Sequence, residues 1–186
     1  MTTQIIIGDL TNRQHTNAVV KLSLTHNFYI DPIWNMVLRK LSPALTKQLR
    51  LAGWTQERID REETKQFSKY DDYNWEFRLL MKDDKFIGFT FWDYPKKSKR
   101  GQGCCLEFLL VDGAERGNKY GKLLMDDFIA WADTNRPEIK IQFPIADRML
   151  VQFYTKYGFK YDKEHAEPSD ARCVEMGLAN WYRIKK

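Results

Sequence analysis

Residues 106–124 read Leu-Glu-Phe-Leu-Leu-Val-Asp-Gly-Ala-Glu-Arg-Gly-Asn-Lys-Tyr-Gly-Lys-Leu-Leu. An apolar run stops at a short loop holding Arg116, Gly117 and Gly121, then resumes at helical spacing. A strand that feeds a glycine-bearing turn opening a helix makes an anion cradle. The backbone N–H groups of the first helical turn and the positive end of the helix dipole point into the loop. Arg116 adds a planar fork of donors suited to phosphate oxygens. The segment therefore suits a phosphate-bearing cofactor held against a strand end. Glu107 is the one carboxylate in the run Cys104–Val111. In a strand it shares a face with Leu109 and Val111. A carboxylate among apolar neighbours is costly unless paired or wetted, and its pKa tends to rise toward a range useful for moving protons. The alternative is a structural ion pair with a nearby Lys or Arg.

These groups need a scaffold, and the patterning supplies one. Gln4–Leu10 reads as an opening strand, and residues 14–27 carry Ala18, Val19, Leu22 and His26 at helical spacing. Asp31-Pro32 and Ser42-Pro43 are helix starts, and Thr55 caps a charged helix that runs to about Ser68. From Asn74 strands dominate. Glu76–Met81 and Lys85–Tyr94 flank Lys82-Asp83-Asp84 as a hairpin, and Gly103–Asp112 is a third strand. Residues 119–134 form an amphipathic helix with Leu124, Phe128, Ile129 and Ala132 inward. Glu138–Phe143 is a strand closed by Pro144, and Asp147–Tyr157 a helix ended by Gly158. Phe159–Tyr161 and Ala171–Leu178 are the last strands. This order predicts a mixed, mostly antiparallel α/β (α+β) sheet with helices on both faces, in one domain over 1–186. Trp75, Phe91 and Trp92 are expected in the core, and His15 and His26 as structural residues.

The chain has 186 residues, enough for a real core, and 43% hydrophobic residues exclude a disordered chain. No apolar run approaches a membrane span and no secretory signal opens the sequence, so no membrane partner is expected. Three cysteines, two adjacent within an apolar run, point to reduced thiols and the cytoplasm. No Cys/His spacing suggests a metal site. A net charge of +5 admits nucleic acid, an anionic surface or an anionic cofactor. The basic run at Lys96, Lys97, Lys99 and Arg100 reads as a hairpin tip, and no base-stacking or groove-reading motif accompanies it, so no nucleic-acid partner is expected.

Two motifs together resemble the GNAT superfamily of acyl-CoA-dependent N-acyltransferases. Val111 precedes Arg116-Gly117-Asn118-Lys119-Tyr120-Gly121, which is similar to that family's pyrophosphate signature [Gln/Arg]-x-x-Gly-x-[Gly/Ala], with Lys119 where the first motif glycine is usual. Phe153-Tyr154-Thr155-Lys156-Tyr157-Gly158-Phe159 matches a second signature, with Asp147 in place of its Asn and Leu150 in place of its Ala. The resemblance covers about 76–178. Leu-Glu before Phe-Leu-Leu-Val is also similar to the diamine and polyamine branch.

The resemblance implies a GNAT-like fold, acetyl-CoA as cofactor, and N-acetylation of a small-molecule or peptide amine. Acyl transfer to an amine needs proton removal, a stabilised thioester oxygen and an eased thiolate. The resemblance gives Glu107 the part of general base, directly or through water, and Tyr154 that of general acid. Structural alternatives are an ion-paired Glu107 and a core Tyr154. It assigns cofactor contacts to Leu109, Leu110 and Val111 beside the pantetheine arm. It assigns Arg116, Gly117, Asn118, Lys119, Tyr120, Gly121 and Lys122 to the pyrophosphate, and a further contact to Asp147. The Lys119 charge strengthens phosphate binding, or its β-carbon strains a backbone that glycine permits. Tyr29, Asp31 and Trp34, with Glu164 and Glu167, would flank the acceptor amine. The alternatives are a non-catalytic CoA-binding or protein-interaction module and, for the acidic loop, a solvated segment. A homodimer is compatible with this reading.

Overall fold

The computed structural model describes residues 2–9, 12–25, 50, 51, 53–57, 73–96, 103–144, 146–161 and 178–184. The expected helices from Asp31, Ser42 and Thr55 lie wholly or largely outside the described residues, as do His26 and most of the basic run.

The described residues include seven strands and three α-helices. They are β1 (Thr3–Ile7), α1 (Arg13–Thr25), β2 (Tyr73–Lys82), β3 (Lys85–Pro95), β4 (Cys104–Val111), α2 (Tyr120–Asn135), β5 (Glu138–Pro144), α3 (Arg148–Thr155), β6 (Lys160–Tyr161) and β7 (Leu178–Ile184). The strands bond in the order β1-β2-β3-β4-β5-β7-β6. β1 runs antiparallel to β2, and β7 antiparallel to both β5 and β6, whereas β4 and β5 are parallel, as a connection through a helix requires. The sheet is thus mixed and mostly antiparallel.

Packing divides the chain into two compact units. The first comprises Met1–Asp72, Phe77–Phe89 and Leu110–Leu124, and the second Tyr73–Glu76, Thr90–Leu109 and Met125–Lys186.

In the first unit, Asn12 opens α1: its side chain accepts the Gln14 N–H at 2.9 Å and its carbonyl the Thr16 N–H at 3.1 Å. Val19, Val20 and Leu22 are buried along the helix. His15 accepts the Asp9 N–H on Nδ1 at 3.1 Å, a structural contact. The β2–β3 turn is only two residues, since Lys82 still belongs to β2. Asp83 and Asp84 have φ of 46° and 62°, the left-handed pair that a tight hairpin needs and Asp tolerates.

In the second unit, Cys104 and Leu106 of β4 pair with Ile139 and Ile141 of β5. All four are buried in a cluster with Met125, Phe128 and Ala132 of α2, and Leu150, Val151 and Tyr154 of α3 pack against it. α2 and α3 therefore cover one sheet face. Alternation turns Cys105, Glu107 and Lys140 to the other face. Trp92 and Phe91 are buried, and Trp75 stacks on Phe91 with centroids 5.2 Å apart.

The structure places a long strand over Leu178–Ile184; of the strand expected over Ala171–Leu178, residues 171–177 lie outside the described residues. The register explains the placement: Trp181 opposes Ile141 and Ala179 opposes Phe143, so two apolar side chains meet the cluster. β1 likewise spans Thr3–Ile7, with Gly8 beyond its end donating to the Phe77 carbonyl at 2.9 Å.

Candidate active site

The first unit carries the glycine-bearing loop. After β4, the Asp112 N–H donates to the Ile87 carbonyl at 2.8 Å. The Asp112 side chain accepts from the Ala114 N–H at 3.0 Å and starts a 3-10 turn over Gly113–Glu115. Leu110 and Val111 are buried. A β-carbon on Gly88 would stand 2.7 Å from the Leu110 carbonyl oxygen, so glycine there lets β3 approach β4. The chain then leaves in an extended conformation at Arg116, turns left-handed at Gly117 (φ 86°), and turns so again at Lys119 (φ 63°). Asn118 donates its side-chain amide to the Glu115 carbonyl at 3.1 Å.

α2 begins at Tyr120, and its first intrahelical bond runs from the Leu123 N–H to the Lys119 carbonyl at 3.1 Å. The N–H groups of Tyr120, Gly121 and Lys122 precede that bond, so the helix itself does not use them. Lys119 occupies the backbone region that glycine adopts freely, and its cation stands at the helix start. Opposite charge also frames the loop. Lys82 Nζ lies 2.8 Å from Glu115 Oε2 and 5.9 Å from the Tyr120 ring centroid.

The second unit carries Glu107 and Tyr154. The β4–β5 ladder consists of three pairs, Cys104 with Ile139, Cys105 with Lys140 and Leu106 with Ile141, although both strands continue. The two part just before Glu107. Leu109 packs against the apolar cluster that holds Leu106. Glu107 retains exposure to water yet is crowded by protein. That crowding raises its pKa, against the lowering effects of a hydrogen bond from Cys105 and the Lys140 charge.

Asp93, Cys105 and Glu107 place one carboxylate or thiol atom each within 4.8 Å of one another. The Cys105 N–H donates to Asp93, whose pKa is pushed up to about 7, first by burial and then by the Glu107 charge. Burial and the two neighbouring carboxylates raise the Cys105 thiol well above its ordinary value, so it stays protonated and serves as a donor. Lys140, opposite Cys105 in the ladder, supplies the counter-charge. Sequence reasoning missed Asp93, Cys105 and Lys140 as parts of this group. The signal for Asp93 was the one that exposed Glu107: it is the sole carboxylate inside a strand, β3.

Tyr154 stands on the other sheet face, in α3. Its ring packs against Phe143, Phe153 and Phe159 with centroids 4.9, 5.1 and 5.9 Å away. Burial raises its phenol to about 12, so the hydroxyl remains a donor at neutral pH. The Asp147 carboxylate accepts the Met149 and Leu150 N–H groups, each at 3.0 Å, and so caps α3. Tyr29, Asp31, Trp34, Glu164 and Glu167 lie outside the described residues. No helix among the described residues is long and apolar enough to cross a membrane.

Comparisons with known proteins agree with this architecture. The chain is similar in structure to an acetyltransferase of the GNAT family from Staphylococcus aureus (18% identity, TM-score 0.59, 100% of both chains covered). It is likewise similar to the PaiA N-acetyltransferase of Thermoplasma acidophilum, solved in complex with coenzyme A (14%, TM-score 0.55, 99% of both chains). Arabidopsis thaliana Naa50, in complex with the bisubstrate analogue CoA-Ac-MVNAL, is a third (13%, TM-score 0.59, 98% of this chain and 99% of that one). At such identities the likeness concerns the fold. No curated protein sequence matches significantly. Residues 42–179 match the family described as acetyltransferase (GNAT) domain. That match spans well over half of the sequence, and the chain belongs to the acetyltransferase (GNAT) domain family.

Proposed function

We propose that the protein transfers an acetyl group from acetyl-CoA to a primary amine by direct attack of the amine on the thioester, with Glu107 as general base and Tyr154 as general acid. The observation that carries this reading is the parting of β4 from β5 immediately before Glu107. It leaves a proton acceptor beside strand groups that β4 and β5 do not satisfy for each other.

Acetyl-CoA supplies the acyl group in activated form. Arg116, Lys119 and Lys122, with the N–H groups of the first turn of α2, suit its diphosphate. Leu109, Leu110 and Val111 would flank the pantetheine arm, Gly117, Asn118, Tyr120 and Gly121 complete the cradle, and Asp147 shapes the start of α3. Glu107, wet but crowded, takes the amine proton directly or through water. Tyr154 holds a protonated hydroxyl that donates toward the departing sulfur. An acid of pKa about 12 acts there through a hydrogen bond more than through full proton transfer.

The acceptor is a small-molecule or peptide amine, the latter in keeping with the peptide analogue on Naa50. The carboxyls of Asp93 and Glu107 favour an amine that arrives as a cation. We read 1–186 as a single N-acetyltransferase domain. Free thiols at Cys104 and Cys105 support a reducing cytoplasm. A second reading, a CoA-binding module without turnover, draws on strained Lys119 and on Asp147, whose carboxylate is spent on its own helix.

Thiol release from acetyl-CoA with a panel of amines separates the two. Turnover that Glu107→Gln abolishes supports the enzyme, and CoA binding without turnover supports the module.

A further inference from the structure

This inference rests on the acetyl-transfer reading and concerns a residue outside the expected machinery. Asp93 comes from β3, and Cys105 and Glu107 from β4, and their polar side-chain atoms gather within 4.8 Å. Cys105 ties the carboxyls together: its thiol donates to Glu107 and its N–H to Asp93. From β5, Lys140 is the cation acting on both. The group lies on the face that α2 and α3 leave uncovered, where the β4–β5 ladder ends.

We propose that Asp93 is the second carboxylate of the base, so that Glu107 and Asp93, both ionised before the step, take the amine proton as a pair and then hold that one proton between them. The balance is simple. One N–H bond of the amine breaks and one O–H bond forms on Glu107. The pair passes from two negative charges to one, and no electrons are transferred. The proton then leaves to water from the exposed Glu107 side. Two carboxyls this close cannot ionise independently, and the two steps of their titration belong to the pair. The step near 7 lies close to the pH at which a general base works best. Glu107 without the Asp93 carboxylate beside it would hold a proton less tightly and act as a weaker base.

The test combines kinetics with site-resolved titration. The pH profile of kcat/KM is measured for the wild-type protein and Asp93→Asn, and carboxyl carbons are titrated by NMR in Asp93→Asn and Glu107→Gln. We expect an acid limb near pH 7 in the wild type, which Asp93→Asn moves down by about a unit with a roughly tenfold lower plateau. In Glu107→Gln, the Asp93 carboxyl should titrate below its wild-type value. An unmoved limb and plateau in Asp93→Asn, or an Asp93 titration indifferent to Glu107→Gln, overturns the proposal. Should Asp93→Asn fail to fold, Glu107→Gln decides alone, because its side chain is water-exposed and its readout needs no activity. Absence of thiol release from wild-type protein with every amine would defeat the acetyl-transfer reading, and the titration would still report on the pair.

Discussion

Lys82, at the end of β2, holds its ammonium 2.8 Å from a carboxylate oxygen of Glu115, in the turn that leads to Arg116. Both side chains are mostly shielded, and the same lysine lies over the Tyr120 ring. One cation thus braces the glycine-bearing loop at its entry and at the first residue of α2. Glu115 in turn neutralises Lys82.

Glu115→Gln should loosen that brace. Affinity for CoA falls by about two- to fivefold, the scale of a partly exposed ion pair, while Tm changes little. Calorimetric titration with CoA checks it. Unchanged affinity would show that the loop holds its shape without Lys82.

Lys119→Gly separates the two consequences of that residue. Relief of a left-handed, β-carbon-bearing backbone should stabilise the fold by about 1 kcal/mol. Removal of the charge should weaken CoA binding and flatten its salt dependence. Thermal melts and titrations at two ionic strengths measure the opposing effects on one variant. A destabilised variant would contradict the strain.

Asp93 sets a pH dependence of stability. Its folded pKa, near 7, is above the ordinary 3.8. The native state therefore binds more protons than the unfolded chain between these values, and stability falls as pH rises through that window. Above pH 7 the fold carries an unfavourable buried charge. Asp93→Asn removes it and should raise stability at pH 8 by on the order of 2 kcal/mol, with the gain shrinking toward pH 4. Melts at both pH values decide this, and a variant less stable at pH 8 would contradict it.

Tyr154→Phe removes a hydroxyl from a ring otherwise held by three aromatic neighbours. The fold should tolerate the change. kcat should fall roughly 100-fold with little change in KM for acetyl-CoA, the pattern of a group that acts in the transition state. Steady-state kinetics would refute the role if kcat held and only KM moved.

Much of this architecture was legible because local rules and tertiary packing agree. The stripe of Leu124, Phe128 and Ala132 is buried on α2, and Asp83-Asp84 turns a hairpin of the expected kind. Glu107 stood out as a charge inside an apolar run. The same logic was not applied to Asp93, although Lys85–Tyr94 was read as a strand that contains it. Cys105 looked like another buried thiol; only pairing with β3 and β5 gives it two carboxylates and Lys140 as neighbours, and pairing is not written locally. Leu178–Ile184 was read as a strand only at its first residue because it mixes Asn, Tyr and Arg with apolar residues, and its alternation becomes clear only opposite β5.

The short ladder between β4 and β5 reaches beyond chemistry. Sheet edges are ordinarily confined to the outside of a fold, where they can be blunted or hidden, but here the interior opens a seam. A cosubstrate lodged in the seam would act as a removable keystone, and its free concentration would set resistance to heat and proteases through mass action. A cell short of activated acyl groups would then hold this protein in its most fragile form, linking the lifetime of the catalyst to the supply of what it consumes.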